Sequence, residues 1–144
     1  MQVKQISVFL ENKAGRLSRV CDVLAEGNIN IRALSLADTS DFGILRLIVN
    51  RPDEACDLLS KEGFAASTNS VIAVPIEDKP GGLAKILRVF QESNVNLEYM
   101  YAFMSAKCSG AIMVCKVGDS ATALAALEKA GIGSVSEDEL YGER

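Results

Sequence analysis

Histidine is absent from this 144-residue chain. That absence removes the side chain most used for general acid–base catalysis and for binding transition metals. The four cysteines, Cys21, Cys56, Cys108 and Cys115, are scattered and show no CxxC spacing. No metal site and no cofactor are therefore expected. Three of these cysteines lie inside apolar patterns and read as buried free thiols in a reducing, cytoplasmic compartment, without disulfides. Positive charge is in deficit, with 15 Lys+Arg against 19 Asp+Glu. A net charge of −4 creates no field for phosphate backbones, so nucleic acid is not an expected partner. No apolar run approaches the ~18 residues of a membrane span. The start, MQVKQISVFLENKAGRL, lacks the basic-then-apolar order of a secretory leader. Neither membrane insertion nor export is expected.

What the chain does contain is a repeat. Residues 77–96 read EDKPGGLAKILRVFQESNVN, and 66 positions earlier the chain reads ENKAGRLSRVCDVLAEGNIN. Aligned without gaps, 11–37 and 77–103 share eight identities: Glu11/Glu77, Lys13/Lys79, Gly15/Gly81, Leu17/Leu83, Val23/Val89, Glu26/Glu92, Asn28/Asn94 and Asn30/Asn96. Ordinary composition would give about two. After Ala37 one extra residue in the second copy restores register, and GILRLIV at 43–49 faces GAIMVCK at 110–116. The chain is two copies of one small unit, with domain limits expected at 1–69 and 70–144.

Each copy shows the same order of elements. Ile6, Val8 and Leu10 alternate, as do Ile72, Val74 and Ile76, predicting strands with one buried face. Pro75 lacks an N–H and is expected to end pairing near it. Leu17, Val20, Cys21 and Leu24, with Leu83, Ile86, Leu87 and Phe90, mark one face of a helix. Gly27 is expected to end the first helix in a left-handed cap. Second strands follow near 29–38 and 95–104, with a bulge expected between Ala33 and Leu34. In the second of these, Tyr99, Tyr101 and Phe103 point to the core, and Met100 and Met104 to the opposite face. Third strands come at 43–49 and 110–117. Pro52-Asp53-Glu54 opens a helix closed by Lys61 and Gly63, mirrored by Gly118-Asp119-Ser120 and Lys129-Ala130-Gly131. Last strands are expected near 64–68 and 132–136. The acidic stretch Glu137-Asp138-Glu139 reads as a solvated end.

Strand-helix-strand-strand-helix-strand, twice, is an α+β plan of two tandem ferredoxin-like βαββαβ units, antiparallel sheets with helices on one face. The third strands are apolar on both faces, so the sheets are expected to pack on something beyond their helices. Units this small bury little by themselves. Two copies joined through Ser67–Val71 supply one partner, and a homodimer supplies more.

Glu-Asp-Lys-Pro-Gly-Gly-Leu before a helix and Asn-Val-Asn-Leu after it resemble the ACT domain. The first copy repeats them as Glu-Asn-Lys-Ala-Gly-Arg-Leu and Asn-Ile-Asn-Ile, and Glu98-Tyr99-Met100-Tyr101-Ala102-Phe103 fits the same group. The whole chain is similar to small stand-alone bacterial proteins of two ACT domains. The resemblance implies a non-catalytic regulatory protein that binds an amino acid or similar small metabolite where ACT units pair. It also implies an enzyme of amino-acid metabolism as the regulated partner. Carried over by position, the ligand-binding residues are Asn12, Ala14, Gly15, Arg16, Leu17 and Asn30 in the first copy. In the second they are Asp78, Pro80, Gly81, Gly82, Leu83 and Asn96. The first copy departs from the family pattern, with Ala14 in place of Pro and Asn12 in place of Asp.

The chemistry suits such a ligand. A helix N-terminus offers unpaired N–H groups to a carboxylate. Asn30 and Asn96 carry both donors and acceptors, and Asp78 adds a charged acceptor. A plainer reading stands beside this one: Gly15 and Gly81 make the turn while Asn12 or Asp78 caps the helix. Asn28 and Asn94 follow helix ends, where left-handed geometry favours Asn. The alternative function is a ligand-free interaction or oligomerisation module that regulates a metabolic enzyme.

Overall fold

The computed structural model describes residues 2–38, 41–105, 110–133, 135 and 137–141. Its elements are β1 (Gln2–Glu11), α1 (Arg16–Glu26), β2 (Ile31–Asp38), β3 (Phe42–Val49), α2 (Pro52–Lys61), β4 (Ala65–Ile76), α3 (Gly82–Glu92), β5 (Leu97–Met104), β6 (Ala111–Val117), α4 (Ser120–Lys129) and α5 (Glu137–Tyr141). They pack as two units. One gathers Lys4–Asn69 with Tyr141, and the other gathers Ser70–Leu140 with Gln2 and Val3. Each is ferredoxin-like and antiparallel, with β3 between β1 and β2 in the first unit and β6 between β4 and β5 in the second.

One buried layer joins sheet to helices in each unit. In the first, Ile6, Val8 and Leu10 of β1 and Leu45, Leu47 and Val49 of β3 meet Val20, Val23 and Leu24 of α1 and Ala55 and Leu59 of α2. In the second, Ile72, Val74, Met113, Cys115 and Val117 meet Ile86 and Phe90 of α3 and Ala123 and Leu127 of α4. Each large side chain so buried contributes roughly 1.5–3 kcal/mol.

The helix stripes differ from expectation. Leu17, Cys21 and Leu87 are exposed, and the buried stripe of α1 is Val20, Val23 and Leu24. Apolar residues cover two adjoining stripes of the helix, and only contact with the sheet selects one. Gly27 is not left-handed, at φ −83°; Asn28 and Asn94 take that role at φ 56° and 55°. At position 27 a Cβ would lie 2.3 Å from Leu58 Cδ1 of α2, a side-chain end that can turn aside.

Both second strands carry an irregularity: in the first copy at Ile31/Ala33, one step earlier than expected, and in the second at Leu97/Tyr99, where clean alternation was expected. Its effect is to swap faces. Leu97 pairs with Val117 on the helix side, whereas Tyr99, Tyr101 and Phe103 pair with Lys116, Val114 and Ile112 on the other side. Met100 and Met104 consequently lie on the helix side, exposed at the edge. The third strands behave unequally. Ile112, Val114 and Ile48 are fully buried, but Ile44 is exposed beside Phe9 and Phe42, whose rings stack at 4.9 Å.

Three expectations about the chain path change. Pairing continues through Pro75 to Ile76, since proline withdraws one donor and no more. Ser67–Val71 is no linker but lies inside the continuous strand β4. Of 132–136, the described residues 132, 133 and 135 are not strand; the chain goes on into α5. There Leu140 and Tyr141 are buried, so the acidic stretch belongs to a docked helix. The Tyr141 hydroxyl accepts a hydrogen bond from Lys4 N–H at 2.9 Å.

Candidate functional site

The turn between first strand and first helix is built alike in both copies. The carboxylates of Glu11 and Glu77 pair with Lys13 and Lys79 at 2.8 and 2.6 Å, and the same residues are joined through their backbones at 2.8 and 2.9 Å. The lysine hydrogen bond holds each carboxyl below its ordinary value. Gly15 and Gly81 follow in left-handed geometry, φ 88° and 85°, and a Cβ added to either would meet nothing within 4 Å. Conformation therefore explains these glycines. Glycine, not Asn12 or Asp78, occupies the N-cap position of each helix, and it brings no side-chain cap. Asn12 instead ties the turn to the next hairpin, its N–H donating to the Asp41 carbonyl at 2.9 Å.

Within a unit the expected site residues fall into two groups. Asn12, Ala14, Gly15, Arg16 and Leu17 gather at the start of α1, and Asp78, Pro80, Gly81, Gly82 and Leu83 at the start of α3. Asn30 and Asn96 lie beyond the other end of those helices. Eleven helical residues separate the groups, a length of ~16 Å, more than one small amino acid can bridge. Asn30 is exposed; its N–H donates to Asn50 Oδ1 at 3.0 Å and its carbonyl accepts from Asn50 N–H at 3.2 Å. Nearby, Arg51 donates to the carbonyls of Gly27 and Asn28 at 3.1 and 2.6 Å, closing the C-terminus of α1. In the second copy Gly118 N–H donates to the Asn96 carbonyl at 3.0 Å. Asn96 borders a shallow hollow with Leu87, Gln91 and Asn94.

The two turn groups border different spaces. In the first unit Asn12 and Leu17 line a crevice of ≈ 80 Å³ with Leu36 and Gly43, and Arg16 turns away from it to lie over the Phe64 ring at 4.6 Å. In the second unit Gly82 lines a cleft of ≈ 190 Å³ with Ile76, Glu77, Lys85, Gly110 and Ile132. Sequence reasoning missed Glu77, Lys85 and Ile132: Glu77 is shared with Glu11 and reads as a strand end, and Lys85 and Ile132 matter through their difference from Arg19 and Phe64, which a repeat does not bring out. Gly82 and Gly110 are required for backbone packing: a Cβ would lie 2.1 Å from the Glu77 carbonyl oxygen or 2.2 Å from that of Ile76. Among the described residues no group of His, Cys, Asp or Glu is placed to hold a metal, and no helix is long and apolar enough to cross a membrane.

Cys115 is buried, Cys56 half-buried and Cys21 exposed, all three as free thiols. Only Cys115 fits the expectation of burial, and Cys108 lies outside the described residues. Cys21 faces solvent because the buried stripe of α1 passes through Val20 and Val23.

Residues 1–141 match the family profile of the ACT domain pair. The crystal structure of protein BT0572 from Bacteroides thetaiotaomicron is 38% identical, covers 99% of this chain and 98% of its own, and superposes with a TM-score of 0.92. The regulatory subunit of aspartate kinase from Thermus thermophilus shares the fold at 18% identity, over 91% of this chain and 93% of its own, with a TM-score of 0.65. The same subunit from Thermus flavus does so at 17% identity, 91% and 95% coverage and a TM-score of 0.62. No curated protein matches the chain.

Proposed function

Because the chain belongs to the ACT domain-pair family, we propose that it is a non-catalytic regulator that binds an amino acid or a similar small metabolite and reports it to an enzyme of amino-acid metabolism. One observation carries the reading. The turn of the second unit, with its uncapped helix start, borders a small cleft that holds both a carboxylate and an ammonium group. Its volume lies below the ~300–1,000 Å³ of drug-sized pockets, which suits a metabolite of a few heavy atoms. The proposal places the ligand at the start of α3 and leaves Asn30 and Asn96, at the far end, to the opening of their strands. Exposed Phe9, Phe42 and Ile44 favour association with a second copy. A cytoplasmic location accords with the exposed free thiol of Cys21.

The test is ligand-induced stabilisation of the intact, ligand-free chain, with the twenty common amino acids screened one at a time. A ligand at 100 times its dissociation constant adds ~2.7 kcal/mol to the native state. Each kcal/mol raises the melting temperature of a domain of this size by roughly 2–8 °C, so at least one amino acid is expected to give a plain shift. Silence in both thermal scans and calorimetry would remove the sensor reading and leave the ligand-free interaction module in its place.

A further inference from the structure

The two copies differ at one end of the fold, and the differences form a set. With the offset of 66, Arg16 matches Gly82 and Arg19 matches Lys85. Aligning Lys61-Glu62-Gly63-Phe64 with Lys129-Ala130-Gly131-Ile132, an offset of 68, matches Glu62 to Ala130 and Phe64 to Ile132. In the first unit this end is closed. The Arg16 guanidinium covers Phe64, and Arg16 Nε is shut off from solvent with no hydrogen-bond partner. Arg19 is bound to Glu62 at 2.9 Å and to Glu26 at 3.6 Å. In the second unit glycine and isoleucine replace the stacked pair, and the cleft of ≈ 190 Å³ lies beside them. Alanine replaces the glutamate, so Lys85 makes no ion pair among the described residues and borders the cleft instead. Glu77 borders the same cleft, kept ionised by Lys79.

We propose that this cleft of the second unit is the amino-acid site. It takes a small α-amino acid with the carboxylate on Lys85 and the ammonium on Glu77, whereas in the first unit Arg16 lies on Phe64 and the crevice beside Glu11 and Gly43 is only ≈ 80 Å³. The inference rests on the amino-acid-binding reading above and adds to it the unit, the residues and the stoichiometry. A zwitterion matches a cleft bordered by a cation that makes no ion pair among the described residues and by a carboxylate fixed by Lys79, and the short distance between its two charges suits a small space. The uncapped start of α3 adds positive potential on the carboxylate side.

Titration calorimetry of the full-length chain with L-alanine, L-serine and L-threonine, and with propionate as the analogue lacking the ammonium, tests it. One ligand per chain is expected, with propionate weaker. Lys85→Gln should weaken amino-acid binding by about 10–100-fold, the worth of one charged hydrogen bond. Ile132→Phe, which installs the first copy's residue, should abolish binding. Should that chain fail to fold, Glu77→Gln at an exposed position serves instead and should bring the amino acids down to the affinity of propionate. Two ligands per chain, undiminished affinity in Lys85→Gln, or binding confined to large amino acids would overturn the assignment while leaving the sensor reading intact. A chain that binds none of the twenty would defeat both.

Discussion

Cys21 and Cys115 carry the same thiol into opposite surroundings. Cys21 lies on the solvent side of α1, while Cys115 is enclosed on β6, where desolvation pushes its pKa from 9.0 to about 12. A thiol whose folded pKa is raised contributes stability that is whole below its unfolded value and is lost above it, because the unfolded chain then releases a proton that the folded chain keeps. Stability is therefore expected to fall as pH rises through the window from 9.0 to about 12. Cys115→Ala should flatten that part of the profile in thermal melts taken across the window. Native alkylation followed by mass spectrometry should modify Cys21 first and Cys115 only after denaturation. Equal labelling rates in the native protein would contradict the burial of Cys115. The sequence pattern around Cys115 announced its burial. That around Cys21 misled, since the stripe through Leu17 and Cys21 is as apolar as the one through Val20 and Val23.

At the scale of elements, the four long helices start in three ways, α2 with Pro52 in its first turn and no side-chain cap. α1 and α3 begin at left-handed glycines with no side-chain cap. In α4, Asp119 Oδ1 accepts from Thr122 N–H at 3.0 Å and Oδ2 from the Thr122 hydroxyl at 2.7 Å. The contrast follows position: the glycine starts border the candidate clefts, and the capped start is at the opposite end of its unit. The Thr122 hydrogen bonds, side chain first and backbone second, hold the Asp119 carboxyl below its ordinary value of 3.8. A depressed carboxyl contributes stability present above its unfolded pKa and lost as pH falls through the folded one. Asp119→Ala should thus lower the melting temperature at neutral pH, and the gap to the parent should close in strong acid. A gap that persists in acid would mean that the carboxylate is not what the cap contributes. Asp119 and the following Ser120 were readable as a helix start. That α1 and α3 start at glycine was not, because Asn12 and Asp78 are good capping residues that stand just before Gly15 and Gly81.

For the whole molecule we propose domain limits of 1–69 and 70–144 and a homodimer in solution. A chain cut at that boundary divides β4 between Asn69 and Ser70, in the middle of a strand of 12 residues. It also takes Tyr141 from the first unit, where its hydroxyl accepts from Lys4, and Gln2 and Val3 from the second. Halves expressed separately should melt below the intact chain or self-associate, and sedimentation of the intact chain should give the mass of a dimer. Two monomeric halves, each as stable and cooperative as the whole, would show that neither unit needs what lies past the boundary.

The sequence by itself determined the repeat, the order of elements as far as α4 and the buried faces of β1 and β4, since each follows from a local period of two or 3.6 residues and from turn chemistry within a few positions. It also brought out the family, through turn and asparagine motifs written twice. Tertiary structure decided what depends on contact between distant residues. The sheet selected which stripe of α1 is buried, and packing brought Leu58 of α2 against Gly27. A strand irregularity at Leu97/Tyr99 reversed the faces of β5. The length of the helices set Asn30 and Asn96 apart from the turns they had been grouped with. The stacking of Arg16 on Phe64, 48 residues further on, distinguishes a closed end in one unit from an open cleft in the other. No local period records such a contact, because it exists only once α1 and the start of β4 have been packed side by side.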